Sequence, residues 1–194
     1  MKPVSTPQPT QKTSAPTHVL ILEARFYEDI ANELVRGAVS ELERAGATYE
    51  RLSVPGAFEI PGAIAFVLRG MAGGAHRAAF DGFVALGCVI RGETAHFDYV
   101  CGESARGLQD LAVQHGAAIG YGILTVDNAA QAWERAKVDR GNKGRDAARA
   151  CLRMIEIKRA LVDRREAIPG HIVAPEMPQP NEPAIRAARP RPAR

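Results

Sequence analysis

Four short apolar runs, "THVLILEA", "TYERLSV", "GFVALGCVI" and "AAIGYGILT", are each followed by a segment of helical period, and no hairpin signal joins any two of them. That order leaves few folds open. Strands separated by whole helices return parallel to one another, through right-handed crossovers that lay helices on both faces of a sheet. The expectation is an α/β protein: a three-layer α/β/α sandwich around a four-stranded parallel sheet.

The helices carry their own boundary marks. Ile30, Leu34, Ala38, Leu42 and Ala45 recur every three or four residues, with Glu28 and Asp29 in the first turn and Gly46 just past the last; this is an amphipathic helix with both ends signalled. "IPGAIAFVLRGMA" reads as a helix that tolerates Pro61 in its first turn. "HFDYVCGESARGLQDLAVQHG" is a long helix closed by Gly116, and Asn128 is placed to cap a short helix through Trp133 and Ala136. A last helix is expected from about Asp146 to Arg165, with Ala150, Met154, Ile157 and Leu161 forming its apolar side.

Proline marks the limits of the domain. Of 13 prolines, only Pro55 and Pro61 lie between His18 and Ile168. The rest fall in segments poor in aromatics and without apolar period, a composition that cannot bury enough surface to order itself. Residues 1–17 and 168–194 therefore read as flexible tails flanking one domain over 18–167. The formal charge of +3 divides the same way, since each tail carries +2 and the domain between them is close to neutral. A near-neutral domain lacks the basic face of a nucleic-acid binder, and the arginines of "RAARPRPAR" read as a solvated tail. No apolar run approaches the roughly 18 residues of a membrane span, and the N-terminus lacks the order of a signal peptide, so a soluble cytoplasmic protein is expected. Cys88, Cys101 and Cys151 form no CxxC and are odd in number, which points to reduced thiols rather than a disulfide framework or a zinc site.

The chemically loaded residues follow the strands: Arg25-Phe26-Tyr27 the first, Pro55 to Glu59 the second, "RGETAHF" the third and "TVDN" the fourth. Ligands of open α/β sheets bind beyond the carboxyl ends of the strands, so these segments should meet along one edge. Phe26 and Phe58 are either core residues or rings exposed for stacking on a planar ligand. Glu59 either complements a helix N-terminus or accepts hydrogen bonds from ligand hydroxyls. The amides of Gly92, Glu93 and Thr94, just before the helix that starts near His96, suit an anion, and the Thr94 hydroxyl adds a donor. His96 is the only histidine close to that anion site, and is either a cap or surface residue or a functional group of that site. Arg91 reads as an ion-pair partner and Trp133 as core. Arg135 and Lys143 are a solvated basic helix end unless the ligand bears phosphate.

Taken together, "ARF", "VPGAFEIPGA", "ALGCVIRGETAHFDYV", "YGILT", "QAWERA" and "GNKGRDAA" stand in the order and spacing of lumazine synthases, and the chain resembles that family from about His18 to Arg165. The resemblance implies a flavodoxin-like sandwich that condenses 5-amino-6-(D-ribitylamino)uracil with 3,4-dihydroxy-2-butanone 4-phosphate to 6,7-dimethyl-8-ribityllumazine, phosphate and water, without metal or organic cofactor. By the same resemblance Phe26 would stack on the pyrimidine, Ala57, Phe58 and Glu59 would hold the ribityl chain and ring, and Cys88, Val89 and Ile90 would bond the ring through main-chain groups. Glu93 and Thr94 would hold the phosphate, with Arg135 as cationic partner, and His96 would move protons. Tyr121 and Lys143 match positions that a neighbouring subunit donates. Tyr27 departs from the family, which commonly has asparagine there: an amide is lost and a phenol gained.

Two other functions fit the same pattern, a flavin or lumazine carrier and a structural shell protein; the phosphate-type loop argues against the carrier. Shared sites would make the protein an obligate oligomer, a homopentamer in the family, packed in some members into a closed icosahedral shell of about 60 subunits. The uninterrupted Arg135–Lys143 segment resembles shell-forming members. Pro3, Pro7, Pro9 and Pro16 oppose it, because proline cannot donate the ladder bonds of an added strand.

Overall fold

Each apolar run becomes a strand: β1 (His18–Ala24), β2 (Thr48–Val54), β3 (Gly82–Ile90) and β4 (Ala118–Val126). They form one sheet in the order β2-β1-β3-β4, and every neighbouring pair is parallel. The intervening segments are α1 (Glu28–Arg44), a 3-10 turn at Ala57–Glu59 leading into α2 (Ile60–Ala72), α3 (His96–His115), α4 (Ala129–Ala136) and α5 (Lys143–Glu166). This computed structural model describes residues 16–73 and 80–166, with side chains as far as Leu161. The two expected tails lie outside the described residues except for Pro16 and Thr17, and the Thr17 carbonyl accepts the Thr48 N–H at 2.9 Å, one step beyond the β1–β2 ladder.

Because successive strand residues face opposite sides, β1 feeds two cores. Val19 and Ile21 join Leu34, Ala38, Leu42, Val84 and Ala148 under α1, α4 and α5, whereas Leu20 and Leu22 join Ile60, Ile64, Phe83, Leu108 and Leu111 under α2 and α3. Burial on both faces explains why the central strands read as continuous apolar runs. The local marks act as expected. Pro61 sits in the first turn of α2, Gly116 closes α3 in the left-handed region at φ 59°, and the Asn128 side chain accepts the Gln131 N–H at 3.0 Å.

The last helix departs from expectation in two ways. It starts three residues early, at Lys143, because Asn142 adopts φ 42° and its Oδ1 accepts the Arg145 N–H at 3.2 Å. Its buried face is Ala147, Ala148, Cys151 and Ile155, while Ala150, Met154, Ile157 and Leu161 are exposed. Both stripes have helical spacing. The small one wins because Gly120 lets the helix backbone approach β4 so closely that a Cβ there would collide with the Ala147 carbonyl. Trp133, expected in the core, is only partly buried at its edge.

Candidate active site

In a 2-1-3-4 sheet the chain leaves β1 in one direction and β3 lies on the other side, so a crevice opens at their carboxyl ends. A cavity of about 500 Å³ occupies that position. Its walls come from the segment after β1 (Phe26, Tyr27), the segment after β2 (Pro55 to Glu59), the end of β3 (Cys88 to Ile90), and the loop and first turns of α3 (Gly92, Thr94, His96, Phe97, Val100).

Phe26 is 75% exposed and Phe58 53% exposed, so neither ring is spent on the core. Phe26 stands edge-on to Tyr27, with centroids 4.9 Å apart and planes at 76°. Ala57 is buried beneath the same turn, and Glu59 is exposed and hydrogen-bonds through its N–H to the Gly56 carbonyl at 3.3 Å. With Pro55 before the 3-10 turn and Pro61 after it, this wall has little backbone freedom to lose.

The third wall offers main chain. β1 pairs with β3 only as far as Glu23 and Leu86, yet β3 runs on to Ile90. Among the described residues no strand covers the β1 side of that extension, so main-chain donors and acceptors there face the cavity. The Cys88 thiol beside them is buried, and burial, with a smaller contribution from nearby Cys101, pushes its pKa up to about 11. It is a neutral wall, not a nucleophile.

At the fourth wall α3 begins without a side-chain cap on its N-terminal residue, Ala95. The Thr94 hydroxyl accepts the His96 N–H at 3.4 Å and the Asp98 N–H donates to the Ala95 carbonyl at 3.0 Å, while the aligned peptide dipoles of this 20-residue helix make its start electropositive. Arg91 braces the loop: its guanidinium lies 4.0 Å from the centroid of Phe97, 3.2 Å from Asp98 and 3.5 Å from Asp127. The ion-pair role expected of it is what it has.

Four of the expected residues do not line the cavity of their own chain. Glu93 is exposed between Gly92 and Thr94, which do. Arg135 is exposed near the end of α4, its Nη1 donating to the Gln131 carbonyl at 3.1 Å. Lys143 Nζ pairs with Asp146 at 2.9 Å, a contact that holds the Asp146 carboxyl below its ordinary range. Tyr121 is 43% exposed on the edge strand β4, beside a separate groove against Arg106 and Gln109 of α3, and desolvation raises its phenol. Two further residues line the cavity without having been expected as contacts: Phe97, which ends the loaded segment after β3, and Val100, which lies beyond it. Their spacing of three after the anion loop marks the face of α3 that turns toward the sheet edge.

Among the described residues no group of three His, Cys, Asp or Glu is placed to hold a metal ion, and no helix is long and apolar enough to cross a membrane.

The family model for 6,7-dimethyl-8-ribityllumazine synthase matches residues 16–159. The chain is 58% identical over 146 residues to 6,7-dimethyl-8-ribityllumazine synthase 1 of Rhizobium meliloti, covering 75% of this chain and 94% of the relative. It is 55% identical to the Bartonella tribocorum synthase (76% and 94% covered) and 57% identical to that of Afipia carboxidovorans (74% and 86%). The matched span begins just before β1, takes in the whole sheet and all four cavity walls, and ends within α5. This chain belongs to the 6,7-dimethyl-8-ribityllumazine synthase family.

Proposed function

We propose that the protein condenses 5-amino-6-(D-ribitylamino)uracil with 3,4-dihydroxy-2-butanone 4-phosphate to 6,7-dimethyl-8-ribityllumazine, the penultimate step of riboflavin biosynthesis. The observation that carries this reading is the meeting, in one cavity, of an exposed ring, an unpaired strand edge and the electropositive start of a long helix. The pyrimidine stacks on Phe26 while the main chain of Cys88 to Ile90 reads its polar edge. Ala57, Phe58 and Glu59 hold the ribityl chain. Glu93 and Thr94 amides, with the Thr94 hydroxyl, take the phosphate.

Both reacting groups belong to the substrates. The 5-amino group attacks the ketone and water leaves to give an imine; phosphate is eliminated; the ribitylamino nitrogen then closes the ring with loss of a second water. No protein nucleophile is needed, and holding the two reactants together supplies several kcal/mol, about 7 or more in well-oriented cases. His96, at the phosphate end, carries protons between these steps, a contribution of about 10² to 10⁴-fold. No cofactor enters the scheme.

The homopentamer belongs to this proposal. Arg135, Lys143 and Tyr121 stand outside their own chain's cavity, and exposed Tyr121 on an edge strand suits a side chain that completes a neighbour's site. We also place the reaction in the cytoplasm, in keeping with three free cysteines. The test is to mix the protein with both substrates and follow lumazine absorbance and free phosphate: both rise together if the proposal holds, and neither rises if it fails. Light scattering tests the assembly. A pentamer mass supports the ring, a mass about twelvefold larger the icosahedral shell, and a fully active monomer overturns the shared site.

A further inference from the structure

We propose that Arg25 is a positioning residue, held between Glu23 and Asn32 so that the loop carrying Phe26 presents its ring in the stacking orientation before any substrate arrives. The part of this that concerns substrate rests on the function proposed above.

Glu23 is an acid in the core, 2% exposed on β1. Two arginines neutralise it. Arg51 of β2 donates to both carboxylate oxygens, at 2.9 and 3.0 Å, and Arg25 Nη1 donates to Oε2 at 2.7 Å. The other arm of Arg25, Nη2, donates to Asn32 Oδ1 of α1 at 2.9 Å, and its backbone N–H reaches the Val54 carbonyl at the end of β2 at 3.4 Å. One residue thus ties β1, α1 and β2 together immediately before Phe26. A planar guanidinium holds two separated acceptors on two rigid arms, whereas an ammonium must reach both from a single nitrogen and holds them less firmly.

Phe26 needs such a tie. A ring this exposed gains little orientation from packing, and among the described residues its one aromatic neighbour is Tyr27, at a steep interplanar angle. Its direction is set by the backbone of a loop whose next anchor is the first turn of α1. Without the latch the loop samples orientations that stacking must then select against, a cost that appears in binding rather than in chemistry. Arg25 is not required to keep Glu23 neutralised, since Arg51 remains bidentate, so removing it leaves no unpaired buried charge.

The first test needs no substrate. In a Trp133→Phe background, Phe26→Trp provides a single reporter in the full-length chain, and time-resolved anisotropy is compared with Arg25, Arg25→Lys and Arg25→Gln. The expected result is a reporter that depolarises with overall tumbling when Arg25 is present, gains a nanosecond local component in Arg25→Gln, and is partly restored by lysine. Equal local motion in all three overturns the proposal. The second test is kinetic. Arg25→Gln should raise KM for the pyrimidine about 2- to 12-fold, leave KM for the butanone phosphate unchanged, and add nothing further in a Phe26→Ala background. An equal rise in both KM values, or effects that simply multiply, overturns it. A wild-type chain that forms no lumazine would sink the functional reading alone, and the anisotropy would still decide the latch.

Discussion

Glu41 ties α1 to α5, and its loss should show in stability rather than in turnover. The carboxylate is 4% exposed. It accepts from Arg44 at 2.7 and 3.1 Å and from Arg149 of α5 at 2.9 Å. The Arg44 hydrogen bonds, aided by Arg149 and opposed by desolvation, hold its pKa at about 2 in place of 4.5. At about 1.4 kcal/mol per tenfold change in ionisation this difference corresponds to about 3 kcal/mol. Both guanidiniums stand more than half in solvent, and screening reduces the figure to about 1–2 kcal/mol. Because the folded pKa is the lower one, the stabilisation is complete above the unfolded value of about 4.5 and is lost as pH falls through about 2. Glu41→Gln should therefore cost about 1–2 kcal/mol at pH 7, with a melting temperature lower by about 2–8 °C. The gap to wild type should narrow as the pH is taken from 5 toward 3. Urea titrations of both proteins at one protomer concentration across that range provide the measurement, the fixed concentration removing the mass-action contribution of association. A gap that stays constant with pH would show that the residue acts through packing and not through its charge, and would refute the reasoning.

Three other outcomes are expected. His96→Ala slows turnover by about 10- to 10³-fold without lowering the melting temperature, and unchanged rates at saturating substrate would remove His96 from the proton-carrying role. Arg135→Ala raises the apparent KM for the butanone phosphate by about 10-fold or more through loss of a charge-assisted contact; wild-type affinity for that substrate would return Arg135 to a surface role. Gly120→Ala, which sets a Cβ against the Ala147 carbonyl, destabilises the fold by about 1–3 kcal/mol, whereas Gly62→Ala, which meets nothing within 4 Å, does not; equal melting temperatures for the two variants would contradict the close approach of α5 to β4.

What the sequence by itself determined were the features ruled by local chemistry. The bounds of β2 and β3, the closure of α3 at Gly116, the Asn128 cap and the place of Pro61 all follow from a few adjacent residues. So does the gathering of Phe26, Phe58 and Thr94 at one edge, since every crossover returns the next strand parallel and puts its carboxyl end at the same side. Only the tertiary structure decided which stripe of α5 is buried. A 3.6-residue period is satisfied equally by Met154 with Ile157 and by Cys151 with Ile155, and the choice belongs to the partner surface, where Gly120 admits a backbone and not a bulky side chain. Likewise, nothing local to "LEARF" marks Glu23 as buried or Arg25 as a latch. Arg51 lies 28 residues away and Asn32 a turn into the next helix, and such charges find their partners only when β1, β2 and α1 are already side by side. Periodicity is a property of the chain, whereas pairing is a property of the surfaces that the folded chain brings together.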